Sequence, residues 1–137
     1  MSNTDVIENK ISAIRRYLGI LAQYQAKSVE ELSSEVTLRG AVERYLYLVA
    51  QATIDLAEAT IAFKGLRKPT TMAESFSILV EAGLMDEQLG ASLVKMVGFR
   101  NILAHDYERV DPRILLEVLR SRLGEVERFI QQVAPAQ

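Results

Sequence analysis

At 137 residues, with 49% hydrophobic and 25% charged side chains, the chain has the length and composition of one globular domain spanning 1–137. A formal charge of -2, from 16 basic and 18 acidic residues, excludes a general nucleic-acid coat, so a polyanion has to bind at a focused basic site. With no cysteine and one histidine, neither a disulfide framework nor a thiolate or histidine-cluster metal site is available, and no metal or cofactor is expected.

The opening residues MSNTDVIENK lack the basic start and apolar run of a secretory signal, and the chain reads as soluble and cytoplasmic. Asp5-x-x-Glu8 has the form of a capping box. Ile7, Ile11, Ile14, Leu18 and Leu21 then recur in steps of four and three, which predicts an amphipathic helix ending near Ala26. Ser28-x-x-Glu31 opens a short polar helix, and a long one is expected from about Glu35 to Lys64, stopped by Gly65. The most apolar stretch, YLYLVAQATIDLAEATIAF, lies in this long helix and is interrupted by Asp55 and Glu58, against a membrane span.

The long helix carries two apolar seams. One is Val42, Tyr45, Val49, Ala52, Leu56, Ala59 and Phe63; the other is Leu46, Ala50, Ile54, Ala57 and Ile61. Two stripes need cover on two sides. Either a single bundle covers both or a second copy of the chain covers one; a helix of about 30 residues is about 45 Å long, long for so small a bundle, which favours the second copy.

After LRKP, Thr71-x-x-Glu74 predicts a helix running to Gly83, and Asp86 caps the next, which carries Leu89, Leu93, Met96 and Val97. Gly90 and Gly98 lie inside that helix although each costs roughly 1 kcal/mol against alanine. They are expected to permit close approach, either of a ligand or backbone or of a tightly packed helix. Asp111-Pro112 is a strong start for a last helix, lined by Leu115, Val118, Leu119, Leu123, Val126, Ile130 and Val133. No strand pattern competes, and the fold class is all-α: a single-domain antiparallel bundle of about five helices, forming a homodimer.

The only histidine, His105, stands in FRNILAHDYERVD. On one helix Arg100 and His105 are about 140° apart and share no face. A joint Arg and His site therefore needs the helix to end or distort near Ala104, or needs a second chain to bring its own copy. The residue types suit metal-free phosphodiester cleavage, in which a histidine moves a proton to or from ribose or leaving oxygen and an arginine holds the phosphate. One histidine cannot be both base and acid; a symmetric dimer supplies two. Arg67, Lys68, Arg109 and Arg113 are candidate rim cations with a solvated surface as their default, and Arg39 with Glu43 reads as a surface ion pair.

The longer pattern Arg100-Asn101-x-x-Ala104-His105-x-Tyr107, at the end of the penultimate helix of an all-α chain, resembles the signature of the HEPN superfamily and its HepT toxin branch. The long helix beginning RGAVERYLYLVAQATIDLAEA extends the resemblance over most of the chain. The resemblance implies a helical homodimer acting as a metal-independent endoribonuclease, with both protomers' motifs meeting in a cleft. It also implies that Arg100 and His105 are the catalytic pair and that Asn101 orients them. Tyr107 would be the tyrosine modified with AMP by a partner antitoxin, a nucleotidyltransferase of the MntA type. The competing expectation is a non-catalytic helical module whose cleft holds a nucleotide or docks that nucleotidyltransferase.

Overall fold

The computed structural model describes residues 3–105 and 110–134, and all regular structure among them is helical. Helix α1 (Asn3–Ala22) is followed by α2 (Val29–Ser34), α3 (Val36–Phe63), α4 (Met72–Glu81), α5 (Glu87–His105), α6 (Pro112–Glu117) and α7 (Leu123–Val133). A π-helical turn, Val118–Arg122, joins α6 to α7 so that the two run as one interrupted rod.

Local chemistry sets most of these boundaries. The Ser28 hydroxyl accepts from the Glu31 N–H at 3.1 Å while the Glu31 carboxylate accepts from the Ser28 N–H, a complete capping box. Thr71 caps α4 through the Glu74 N–H, but the Glu74 carboxylate reaches back to Thr70, one residue earlier than the reciprocal pattern requires. Asp86 accepts from the Leu89 N–H at 2.7 Å, and Asp111 from the Arg113 N–H at 2.9 Å with Pro112 behind it. At the other ends Gly65 (φ 67°) and Gly83 (φ 74°) take the left-handed conformation. Leu66 N–H then reaches the Ile61 carbonyl, and Leu84 N–H the Leu79 carbonyl, closing both helices with the same wrap.

Two expected boundaries differ. Helix α1 begins at Asn3, so Asp5 lies in its first turn and not at its cap. It ends at Ala22, four residues earlier than expected, because Gln23, Tyr24 and Gln25 bond to carbonyls three residues back. The following loop has another task. The Gln25 amide donates to the Leu119 carbonyl at 3.0 Å, and Arg120 donates to the carbonyls of Gln25 and Lys27 at 2.9 and 2.7 Å. These bonds tie the α1–α2 loop to the π turn.

Helix α3 is the centre of the molecule, packed against α1, α2, α4, α5 and α6. By length and composition it could cross a membrane, but its apolar faces are turned into the protein's own core. Leu46, Ala50, Ile54, Ala57 and Ile61 of one seam are buried, as are Val42, Val49, Ala52 and Leu56 of the other, with Tyr45 and Ala59 packed against them. The chain covers both stripes by itself. The expectation that a second copy covers one is therefore corrected, because α1 and α5 supply the missing sides. Only Phe63, at the last position of its seam, is exposed, at 41%. Buried Thr53 and Thr60 donate their hydroxyls to the carbonyls four residues back, so the core helix carries them without an orphaned donor.

The two glycines of α5 separate. A Cβ on Gly90 would meet Val80 Cγ2 at 2.5 Å, so Gly90 lets α5 press against α4. A Cβ on Gly98 would meet nothing within 4 Å, and close approach does not explain it within the chain. Gly98→Ala is expected to stabilise by about 0.5–1 kcal/mol, through helix propensity and a less flexible unfolded chain. Gly90→Ala should destabilise by about 1–3 kcal/mol through overpacking. Urea titration of the two variants checks the opposite signs.

The cap carboxylates also predict the response to acid. Asp86 is held below the usual range first by the Leu89 N–H and then by Gln132. Asp111 is lowered first by the Arg113 side chain and then by its N–H. A folded-state pKa below the unfolded value means that the stabilisation is complete above about pH 4 and is lost as pH falls through the depressed value. The double variant Asp86→Asn/Asp111→Asn keeps both cap acceptors, so its unfolding temperature should fall less between pH 5 and 2.5 than the wild-type value does.

Candidate active site

Helix α5 stays regular to His105, its last residue, so the motif is not bent to bring Arg100 and His105 onto one face. Instead Arg100 turns back toward α3. Its Nε donates to the Gln51 side-chain carbonyl at 2.7 Å, and one terminal nitrogen donates to Asn101 Oδ1 at 2.9 Å. The other lies 3.4 Å from the Tyr47 hydroxyl, with the guanidinium carbon 5.3 Å from the Tyr47 ring centre. Gln51 is fixed in turn. Its amide donates to Asp55 at 2.9 Å, and Asp55 faces the Lys10 ammonium at 3.8 Å on α1. Tyr47, Gln51 and Asp55 follow one another at four-residue spacing on one face of α3.

Among the described residues the partners of Arg100 are all neutral. Hydrogen bonds to an amide carbonyl, a second amide and a phenol orient the guanidinium without neutralising it, so its charge stays available for an anion. Asn101 touches Arg100 directly, in keeping with an orienting role. His105 is exposed at the C-terminal end of α5, where a cation would also be favoured by the helix dipole. Tyr107 and Arg109 lie outside the described residues.

Beyond the motif, Val110 is buried, and its carbonyl accepts from an Arg39 terminal nitrogen. Arg39 also faces Glu43, with Nε 3.5 Å from its carboxylate. This pair is not at the surface, as its i, i+4 spacing had suggested, because Glu43 is only 9% exposed. Burial pushes the Glu43 carboxyl up from its ordinary value, while the Arg39 charge pulls it back. Its structural task is to hold Arg39 against the chain just after the motif. Of the other rim candidates, Arg67 pairs with Glu74 and Glu81 and Arg113 with Asp111. Lys68 lines a hollow with Glu58, Ile61 and Leu66. Among the described residues no group of His, Cys, Asp and Glu converges as metal ligands would.

The family described as ribonuclease HepT-like matches residues 7–133, nearly the whole chain, with the motif inside the match. The chain belongs to the HepT-like ribonuclease family. RNA phosphodiester cleavage is the activity that goes with that membership. This HepT-like ribonuclease is 31% identical over 129 residues to the mRNA nuclease HepT of Shewanella oneidensis, a match covering 94% of this chain and 96% of the relative. It is 26% identical over 128 residues to the tRNA nuclease HepT of Aphanizomenon flos-aquae, covering 93% and 87%. Among solved structures it superposes with a TM-score of 0.86 on the tri-AMPylated HEPN toxin of Shewanella oneidensis bound to an MNT antitoxin. That match has 31% identity and covers 97% of this chain and 98% of the other.

The motif read in the sequence names Arg100, Asn101 and His105 but not the residues that hold Arg100. Tyr47 and Gln51 stand 53 and 49 positions away, and only the fold brings them to the motif. One signal was present: Gln51 and Asp55 are polar residues one turn apart in a long apolar stretch of the HepT-like chain. Such residues need a partner there.

Proposed function

We propose that this HepT-like ribonuclease is the toxin of a toxin–antitoxin pair, a cytoplasmic homodimer that cleaves tRNA or mRNA without a metal. Arg100 clamps the scissile phosphate, and His105 moves the proton. In the reaction one histidine takes the proton of the ribose 2′-OH, the 2′ oxygen attacks phosphorus, and the P–O5′ bond breaks. The second histidine of the dimer protonates the departing 5′ oxygen, leaving a 2′,3′-cyclic phosphate. The dimer enters through the site and not through the stripes of α3. On a helix that stays regular to His105, a second motif brought alongside supplies both an Arg and a His to one phosphate. Exposed Ile102, 48% accessible and lying between the two residues, is an apolar contact for that copy.

The observation that carries this reading is the Arg100 guanidinium, aimed by Gln51 and Asn101 and facing no carboxylate among the described residues, on the helix that carries exposed His105. Silencing is expected from an MntA-type nucleotidyltransferase that transfers AMP to Tyr107. The tri-AMPylated relative bound to an MNT antitoxin supports this. Each AMP places a negative phosphate beside a site that must accept RNA phosphates, so charge and bulk both oppose substrate.

End-group analysis of the cleaved RNA tests the reaction. Fragments ending in 2′,3′-cyclic phosphate with 5′-hydroxyl partners are expected; 3′-hydroxyl and 5′-phosphate ends would sink the proposed proton-transfer scheme. For silencing, co-expression with the nucleotidyltransferase should add AMP to wild type and not to Tyr107→Phe. Equal AMP incorporation in both would move the modification elsewhere.

A further inference from the structure

A groove of about 410 Å³ opens between the first half of α3 and the end of α5. Gly40, Glu43, Arg44 and Tyr47 line it from α3, where three- and four-residue steps put them on one face. Leu103 and Ala104 line it from α5, one turn beyond Arg100 and directly before His105. Its size falls in the range of ligand sites, about 300–1,000 Å³. Three further features give it a chemical character.

Arg44 is exposed and, among the described residues, pairs with no carboxylate. Its guanidinium carbon stands 5.5 Å from the centre of the Tyr47 ring, whose other cation is Arg100 at 5.3 Å. One aromatic ring thus holds two arginines, neither of them paired with a carboxylate among the described residues, which concentrates positive potential along one edge of the groove. Glu43 brings a buried carboxyl to the same groove, one oxygen of which faces Arg39 and the other of which can accept an N–H donor. Leu103 and Ala104 supply an apolar wall.

We propose that this groove is a nucleotide subsite for single-stranded RNA, holding the nucleotide next to the scissile phosphate. Its phosphate lies on Arg44, its base lies against Leu103 and Ala104, and a base N–H is donated to Glu43. The assignment rests on the ribonuclease reading for its position in the substrate, and adds a residue set that binds RNA without performing the chemistry. The arrangement separates charge as a nucleotide does. Phosphate meets the cations at the edge, and the polar rim of the base meets the acceptor, the pairing by which carboxylates read amino groups of bases.

Gly40 makes the groove testable without disturbing the fold. A Cβ there meets nothing within 4 Å, so a leucine at 40 extends into open groove space. The probe is a fluorescein-labelled single-stranded oligonucleotide with 2′-O-methyl riboses, which cannot be cleaved by 2′-oxygen attack, followed by anisotropy across a salt series. Arg44→Ala is expected to weaken binding about tenfold and to flatten the dependence of log K on log salt by about 0.7, the contribution of one phosphate contact. Arg44→Lys should keep the wild-type slope. Gly40→Leu should unfold at the wild-type temperature or above and lose binding at least tenfold.

Wild-type affinity in both Arg44→Ala and Gly40→Leu would overturn the subsite, and so would failure of the wild type to bind the probe. A wild-type dimer that Gly40→Leu converts to monomer would also overturn it, showing that the groove seats a second copy. Loss of probe binding in the variants alongside a wild type that cleaves no RNA would keep the subsite and remove the ribonuclease mechanism. Cleavage by wild type with unaltered binding in the variants would do the reverse.

Discussion

His105→Ala is expected to lower RNA cleavage by about 10²–10⁴-fold, the usual contribution of a positioned acid or base, while the unfolding temperature stays within about 1 °C of wild type. His105 is exposed at the last position of α5, so its ring fills no core space and alanine leaves no cavity behind. The replacement removes only a favourable charge at the helix end, a small effect at an exposed site. Any large loss must therefore be a loss of chemistry. If His105→Ala lowered activity and stability together, the histidine would be structural. If it lowered neither, proton transfer would have to be assigned to another group. Gln51→Ala offers a graded companion, because it removes the partner that orients Arg100 and leaves the guanidinium in place. A partial loss, smaller than that of Arg100→Ala, is expected.

Phe129→Ala should cost about 3–5 kcal/mol of stability. Phe129 is fully buried on α7, and its ring meets Phe76 of α4 edge-on, with centroids 5.7 Å apart and planes at 72°. Removing it deletes apolar burial, the edge-to-face contact and the filling of the space between two helices, and close-packed neighbours collapse into that space only in part. Domains of this size have roughly 5–15 kcal/mol of stability in all, so a large share is at stake. Urea unfolding should show a lower midpoint with an unchanged slope. Phe129→Leu, which keeps most of the volume, should lose less than half as much. A loss under about 1 kcal/mol for Phe129→Ala would mean that α7 is not closed onto α4 through this pair.

The parts of the fold that could be read in the sequence are those fixed by neighbours along the chain. Ser28, Thr71, Asp86 and Asp111-Pro112 each open the expected helix because a cap needs only a side-chain oxygen and an N–H two or three residues on. Gly65 and Gly83 close their helices for the equally local reason that the backbone turns left-handed there. Periodicity also found the buried positions of α3. What it could not say was what covers them, and the length of that helix suggested a second copy where α1 and α5 serve. Gly90 and Gly98 look alike in sequence, and only the position of Val80 tells them apart. The π turn was hidden for a similar reason, since its Leu119 carbonyl is met by Gln25 more than ninety positions away.

The site divides along the same line. Arg100, Asn101 and His105 are contiguous enough to be recognised as a motif. Tyr47, Gln51 and Asp55, which aim Arg100, belong to another helix and show no motif of their own. Arg39 and Glu43 were visible as a spaced pair, but their burial against Val110 depends on where the chain returns after α5. A binding groove built from Gly40, Arg44 and Leu103 has no sequence signature at all, because two of its walls come from different helices.

The most direct measurement is cleavage of total RNA by the purified protein in EDTA, beside Arg100→Ala prepared in the same way. Cleavage by the wild type that persists in EDTA and disappears in Arg100→Ala is the expected result. Cleavage that EDTA abolishes, or that Arg100→Ala retains in full, would contradict a metal-independent site built around this arginine.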